Sequence, residues 1–409
     1  MPTTFFGQLF SPRMLVAFLM GFACGVPLLL TGSVLQAWMT EEGVDLTVIG
    51  LYSLVGLPYT LKFLWAPVFD RFTLPLFGRR RGWMLVTQVC LIVGLIGLGL
   101  TDPARSPWVV AGVAFLVTFL SASQDIVIDA YRREDLRDNE LGLGSSLYVN
   151  GYRLGMLLAG SGGLILADHF SFAQVYLMMA ATLLVGVVTT LSCREPALTR
   201  GTPRTFREAV VEPFTDYFRR DHSLALLLFI LLYKLGDQMA STMTTPFYLD
   251  LGFTKTQIGA VAKLFGFWSA IAGGLLGGAI LMRIGIVRSL WAFGILQGAA
   301  ILSFTALALA GNTVVGLAVA IALEQFTSGM GTAAYVAYMA SLTNRRFTAT
   351  QYALLSSCMG VPRVIIAAPA GWLADLLGWP LFFVGCTLIA LPGLALLPLV
   401  GRQYRRDVQ

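Results

Sequence analysis

Four carboxylic acids, Asp125, Asp129, Asp237 and Glu324, stand inside long apolar runs of this chain. Holding a carboxylate in hydrocarbon is costly, so acids kept there point to work with protons, cations or polar solutes. Asp125 and Asp129 are four residues apart, which puts them on one face of a helix. Two partly desolvated carboxylates this close do not both ionise easily, and one is expected to hold a proton near neutral pH. For Asp129 the alternative is an ion pair with Arg132 or Arg133. Glu324 has no lysine within a turn and is a further candidate proton carrier; a structural pair with Arg363 or Lys263 is its alternative. Lys234 and Asp237 are three apart. Either they neutralise each other, or they line a polar cavity in which Asp237 takes part in proton coupling and Lys234 meets a substrate carboxylate. The buried cations Lys62, Arg153, Lys234 and Arg363 and the amides Gln124, Gln238 and Gln325 suit an anionic solute. Tyr52 and Tyr59, with Tyr152, Trp268 and Tyr335, offer rings for stacking on a sugar or for packing.

The elements that carry these residues are apolar helices. Of 409 residues, 56% are hydrophobic and only 12% are charged, against about 25% charged in soluble domains. Apolar runs divided by polar, Gly/Pro or charged punctuation predict about twelve membrane spans, at 12–38, 45–69, 82–101, 107–131, 144–167, 171–193, 221–249, 255–282, 287–310, 313–341, 349–374 and 379–401. Runs of about twenty residues match a hydrocarbon core of roughly 30 Å. The expected fold is an all-α membrane protein. With the N-terminus inside, the cytoplasmic pieces hold 21 of the 28 Lys and Arg, while the outer loops hold only Arg105 and Lys255. This asymmetry predicts cytoplasmic termini at both ends. It also accounts for the net charge of +6 without nucleic acid. The polar, proline-containing stretch 194–220 reads as a cytoplasmic linker between an N-terminal six-helix half, 1–193, and a C-terminal one, 221–409. Within it, Phe206 to Phe218 suits an amphipathic helix at the inner membrane face. A weak repeat agrees with two halves: Gly163-Leu-Ile-Leu-Ala-Asp168 returns as Gly371-Trp-Leu-Ala-Asp375, each after an intramembrane arginine, Arg153 and Arg363.

Enzyme chemistry has little support. The two histidines, His169 and His222, fall on opposite faces in this topology, and the five cysteines show no paired metal spacing. No glycine loop carries the lysine of a nucleotide-binding site. No metal or cofactor is expected, and no segment signals an oligomer, so a monomer among lipids is expected. The Gly155–Gly163 and Gly273–Gly278 stretches read as close helix packing.

The loop Asp70-Arg71-Phe-Thr-Leu-Pro-Leu-Phe-Gly78-Arg79-Arg80-Arg81 resembles the signature of the major facilitator superfamily, with a longer spacing. Parallel six-helix repeats are that superfamily's architecture. The resemblance implies that Asp70, Arg71, Gly78, Arg79 and Arg80 clamp the inner helix ends and gate the outward-open state; a plain positive-inside cluster is the alternative. Three segments resemble the AmpG-type muropeptide permeases of Gram-negative bacteria: Ser123-Gln-Asp-Ile-Val-Ile-Asp-Ala-Tyr-Arg132, Gly25-Val-Pro-Leu-Leu-Leu-Thr-Gly32 and Lys62-Phe-Leu-Trp-Ala-Pro-Val-Phe-Asp-Arg71. This resemblance implies proton-driven import of anhydro-muropeptides, which are N-acetylglucosaminyl-anhydro-N-acetylmuramic acid with or without a stem peptide. Import would cross the inner membrane for cell-wall recycling. Eukaryotic acetyl-CoA transporters are distantly similar, which leaves another anionic solute, such as acetyl-CoA or a peptide, as the alternative cargo.

Overall fold

The computed structural model describes residues 7, 9–75, 77–197, 203, 205–220, 222–254, 257–365 and 367–408. Among these, nine helical runs are long and apolar enough to cross a membrane: Pro12–Glu41, Arg79–Gly99, Pro107–Asp135, Phe172–Ser192, Ser223–Asp250, Ile258–Ile284, Ile286–Ala310, Val314–Leu342 and Pro369–Arg402. The expected spans 45–69, 144–167 and 349–374 are not among these nine. Residues 46–71 form short α and 3₁₀ pieces around Gly56, Pro58 and Pro67, where ring geometry and missing N–H groups interrupt the ladder. Leu141–Leu157 passes through a π-helical turn at Leu158–Gly162 into Gly163–Ala167. Thr348–Ile365 is helical, and Ala367–Ala395 bends sharply at Gly378, whose φ of +69° is open to glycine alone at little cost. That bend lies between the limits expected for the last two spans. The described residues include no strand, only an isolated bridge between Leu74 and Gly78.

The chain divides into two compact units. The first comprises Met1–Asp138, Leu147–Phe214 and Thr343–Ser357; the second comprises Asn139–Ser146, Thr215–Leu342 and Cys358–Gln409. In the first, Pro107–Asp135 packs on Pro12–Leu29 and on Arg79–Gly99, which also meets Phe172–Thr182. Its apolar core joins Trp38, Leu95, Val117, Phe172 and Tyr176, with Trp38 stacked on Phe172 at 5.4 Å. In the second, Val314–Leu342 packs on Gly266–Ile284 and Ile286–Ala310, and Ala367–Ala395 packs on Leu235–Asp250. Phe247, Phe304 and Phe383 form its aromatic centre.

Glycines set the closest helix crossing of the first unit. Gly21 and Gly25 on one helix face Gly151 and Gly155 on another. A Cβ at Gly151 would lie 2.0 Å from the Phe18 carbonyl oxygen, and one at Gly25 would lie 2.1 Å from that of Tyr152. These are backbone obstacles that no side-chain rotation relieves, so the helices can approach this closely only without side chains there. Gly151→Ala is expected to destabilise the protein by about 1–3 kcal/mol in micelles. Gly97→Ala, with nothing within 4 Å of its Cβ, is expected to be neutral or slightly stabilising. Denaturation of the two variants side by side checks this; equal stability would show that the crossing tolerates a methyl group.

Candidate functional site

The polar centre of the first unit begins with a proline. Pro27 lacks the N–H that would close the helical bond to the Ala23 carbonyl. That carbonyl accepts instead from Gln124 Nε2, at 3.1 Å. Just beyond, the helix opens into a π turn over Leu30–Val34 in which Gly32 leaves helical geometry, and Thr31 donates back to the Pro27 carbonyl at 3.2 Å. The interrupted opening helix thus anchors the segment holding both aspartates. Gln124 also approaches Cys24 Sγ at 3.7 Å.

Asp125 and Asp129 share a face, as their spacing predicts, yet their surroundings differ. Asp129 is ion-paired to Arg132 at 3.1 Å. Arg132 also donates to the Tyr352 hydroxyl at 2.9 Å and lies 4.6 Å from the Tyr148 ring centroid. Asp125 is 6% exposed and has no ion pair among the described residues, and its Oδ1 has no hydrogen-bond partner. Lys62, also buried, is the charge that acts on it most strongly, and attractively; Asp129 acts next, and repulsively. Tyr59 donates to Ser121 at 2.9 Å, and Trp65 donates to Ser123 at 3.0 Å. Gln124, Asp125, Lys62 and Tyr59 therefore belong to one polar group. Tyr52 does not: it joins the apolar core and its hydroxyl donates to the Pro107 carbonyl. Pro107 lies eighteen residues before Asp125 on the same helix, about 27 Å away. Arg153 is partly buried on Leu141–Leu157.

The signature loop builds a second polar group in this unit. Arg80 and Asp70 are fully buried and paired at 2.8 Å. Arg80 also pairs with Glu134 at 2.6 Å and donates to the Phe69 carbonyl at 2.9 Å, and Arg79 reaches Glu134 at 2.7 Å. Asp70 accepts from the Ala349 and Thr350 N–H groups at 3.2 and 2.8 Å. Those donors open the Thr348–Ile365 helix, where a carboxylate meets both free N–H groups and the positive end of the dipole. Gly78, with φ +87°, precedes the Arg79–Gly99 helix and offers no capping side chain. Glu195 supplies the cap from a distance, accepting from the N–H groups of Arg80 and Arg81 at 2.8 and 2.9 Å. A Cβ on Gly78 would meet Glu195 at 2.8 Å. The longer spacing of the motif is closed into a loop by the Leu74–Gly78 bridge. The Arg71 guanidinium lies 5.0 Å from the Phe72 ring centroid.

The expected linker helix forms at Phe206–Phe218. In the first unit, Glu208 and Glu212 pair with Arg346 at 3.2 and 3.4 Å, and Gln351 donates to the Pro213 carbonyl at 3.1 Å. The helix is thereby docked on protein.

The second unit centres on a helix break. Ser223–Asp250 is interrupted at Tyr233–Lys234. The Ile230 carbonyl, freed by the break, accepts from the Tyr335 hydroxyl. Tyr335 is fully buried and stacked on Tyr233 at 5.4 Å, a packing role that takes it out of the sugar-stacking candidates. Lys234 Nζ contacts Asp237 Oδ2 at 3.2 Å and Ser328 at 3.4 Å. Asp237 lies in the first turn of Leu235–Asp250. Glu324 is 4% exposed on Val314–Leu342, one turn before Ser328, and acts on Tyr248. Gln238 is partly buried beside Asp237, and Gln325 packs against Gly266. The side chains of Lys263 and Arg363 lie outside the described residues, as does all of Lys255.

Glu134, Glu195, Ser328, Gln297 and Cys24 were not singled out by the sequence. The available signal was an acid beside the arginine clusters at 132–133 and 194; buried polar residues on apolar helices gave none. No group of three or more His, Cys, Asp or Glu side chains suited to a metal occurs among the described residues.

Comparison with known proteins agrees with this architecture. The family model of the Major Facilitator Superfamily matches residues 13–316. The chain is 43% identical over 395 residues to the anhydromuropeptide permease of Escherichia coli (strain K12), covering 96% of this chain and 80% of that protein. Among solved structures it superposes on the E. coli fucose:proton symporter FucP with a TM-score of 0.73 at 12% identity, covering 98% and 99% of the two chains. The proton:xylose symporter XylE gives 0.71 at 10% identity, covering 94% of each. Fold, apolar helices and relationship together describe a multi-pass membrane transporter and not an enzyme. The chain belongs to the Major Facilitator Superfamily and, within it, to the family of the anhydromuropeptide permeases.

Proposed function

We propose that this transporter imports anhydro-muropeptides from periplasm to cytoplasm for peptidoglycan recycling, driven by protons moving the same way. The observation that carries the reading is the relationship to the E. coli permease across nearly the whole chain. In this account the halves 1–193 and 221–409, joined by 194–220, alternate access to a central site in the bacterial inner membrane, with both termini cytoplasmic. Asp125 binds the proton: it is buried, lacks an ion pair among the described residues and sits beside Lys62. Asp237 and Glu324 are further acids of the coupling path. Asp129, paired to Arg132, holds the inner end of its helix and is secondary. Gln124, Lys62, Tyr59 and Arg153 face the solute from one half; Lys234, Gln238, Gln325 and Arg363 face it from the other. The Asp70–Arg80–Glu134 cluster, with Arg71, Gly78 and Arg79 in its loop, is the gate that opens when the inward state forms.

The test is uptake of radiolabelled disaccharide anhydro-muropeptide into proteoliposomes. Unlabelled muropeptide is expected to suppress uptake, and acetyl-CoA or a stem peptide alone is not. Uptake of labelled acetyl-CoA without carrier-dependent uptake of muropeptide would transfer the assignment to that cargo.

A further inference from the structure

The helix break at Tyr233–Lys234 leaves buried polar capacity that the protein does not use. Three helices of the second unit meet there: Ser223–Asp250 brings Lys234 and Asp237, Ile286–Ala310 brings Gln297, and Val314–Leu342 brings Ser328 and Gly331. Lys234, Asp237 and Gln297 are each more than nine-tenths buried. Asp237 Oδ2 is shared between Lys234 at 3.2 Å and Ser328 at 3.4 Å. Its other oxygen, Oδ1, has no hydrogen-bond partner, and neither has Gln297 Nε2. One is a pure acceptor and the other a pure donor, and a buried polar atom left unsatisfied is unfavourable. Gly331 lies beside this group. A methyl group there would lie 2.9 Å from Gln297 Oε1 and 3.7 Å from Lys234 Nζ, so amide and ammonium both border the same bare helix turn.

A ligand that satisfies this group must present an acceptor and a donor together. A carboxylate supplies only acceptors and would face the free oxygen of Asp237. A secondary amide supplies both. We propose that Gln297 and Asp237 form a subsite that reads a secondary amide of the transported solute, Gln297 Nε2 donating to its carbonyl and Asp237 Oδ1 accepting from its N–H. Lys234 and Ser328 fix the carboxylate from its other oxygen. The subsite rests on the muropeptide reading, whose solutes carry secondary amides as acetamido groups on the sugars and as peptide bonds in the stem.

The experiment compares wild type with Gln297→Leu in proteoliposomes, using the anhydro-disaccharide, its de-N-acetylated form and the disaccharide-tripeptide. Wild type is expected to prefer an amide-bearing solute over its counterpart by about tenfold or more in apparent KM, and Gln297→Leu to shrink that preference to within about twofold. Loss of preference between acetylated and de-acetylated sugar assigns the amide to the acetamido group; loss between tripeptide and disaccharide assigns it to the stem. Wild-type preferences retained in the variant would overturn the subsite. Should Gln297→Leu fail to fold, Gly331→Ala puts a methyl group 2.9 Å from Gln297 Oε1, which displaces the amide, and is read the same way. Absence of muropeptide transport by the wild type itself would overturn the functional reading and the subsite with it.

Discussion

Asp125→Asn is expected to abolish pH-gradient-driven accumulation while leaving exchange of labelled for unlabelled solute intact. One proton carried with each solute lets a gradient of one pH unit concentrate the solute about tenfold; the variant should bring that ratio to about one. The reason lies in the difference between the two aspartates. Asp129 has a fixed cation, Arg132, at 3.1 Å, itself held by Tyr352. That pair gives Asp129 a structural task at the inner end of its helix. Asp125 is equally buried, its Oδ1 is unsatisfied and its strongest attraction comes from Lys62, to which it is not bonded. In the proposed mechanism it is this group that takes up and releases the proton. Asparagine keeps its shape and removes its titration. Exchange needs no net proton movement, so its survival shows that the variant is folded and binds solute. Asp129→Asn supplies the contrast: it should weaken the protein through loss of the Arg132 pair more than it uncouples transport. Full accumulation by Asp125→Asn, with loss only in Asp129→Asn, would move the proton to the second acid.

Arg80→Ala is expected to cost about 3–5 kcal/mol, the loss typical of breaking a buried ion pair, and to abolish transport. Arg80 is wholly buried and its guanidinium serves Asp70, Glu134 and the Phe69 carbonyl at once. Removing it leaves Glu134 to Arg79 and Thr348, and leaves Asp70 to the helix start at Ala349 and Thr350, including the Thr350 hydroxyl. Arg80→Lys should recover little, because one ammonium cannot span acceptors arranged for a planar fork. Denaturation in micelles together with uptake checks this. Wild-type stability in Arg80→Ala would mean that the cluster is not what holds 343–357 in the first unit.

The same cluster shows what was legible in the sequence. Asp70 and Arg80 stood out because the motif states them, and the helical spacing of Asp125 and Asp129 stated their shared face. Glu134 and Glu195 were hidden because their partners are 54 and 115 residues away for Arg80, and no local spacing encodes such a pairing. The tie between Gln124 and the Ala23 carbonyl was half legible. A proline in a helix leaves the carbonyl four residues before it without a donor, but which side chain reaches it depends on tertiary packing. Spans were read well where one apolar helix carries through, as at Val314–Leu342. They were read poorly where proline and glycine break it, as in 46–71 and at Gly378, since hydropathy records only length and composition. Aromatic residues were the least legible: Tyr59 belongs with the polar group, whereas Tyr52 and Tyr335 satisfy backbone carbonyls inside apolar cores.

The most direct test of proton-driven muropeptide import is accumulation of labelled disaccharide anhydro-muropeptide in proteoliposomes, with and without an outside-acid pH gradient. Internal concentration rising above external only when the gradient is present is the predicted result. Uptake that equilibrates identically with and without the gradient, in correctly inserted protein, would contradict proton coupling and leave a facilitator in its place.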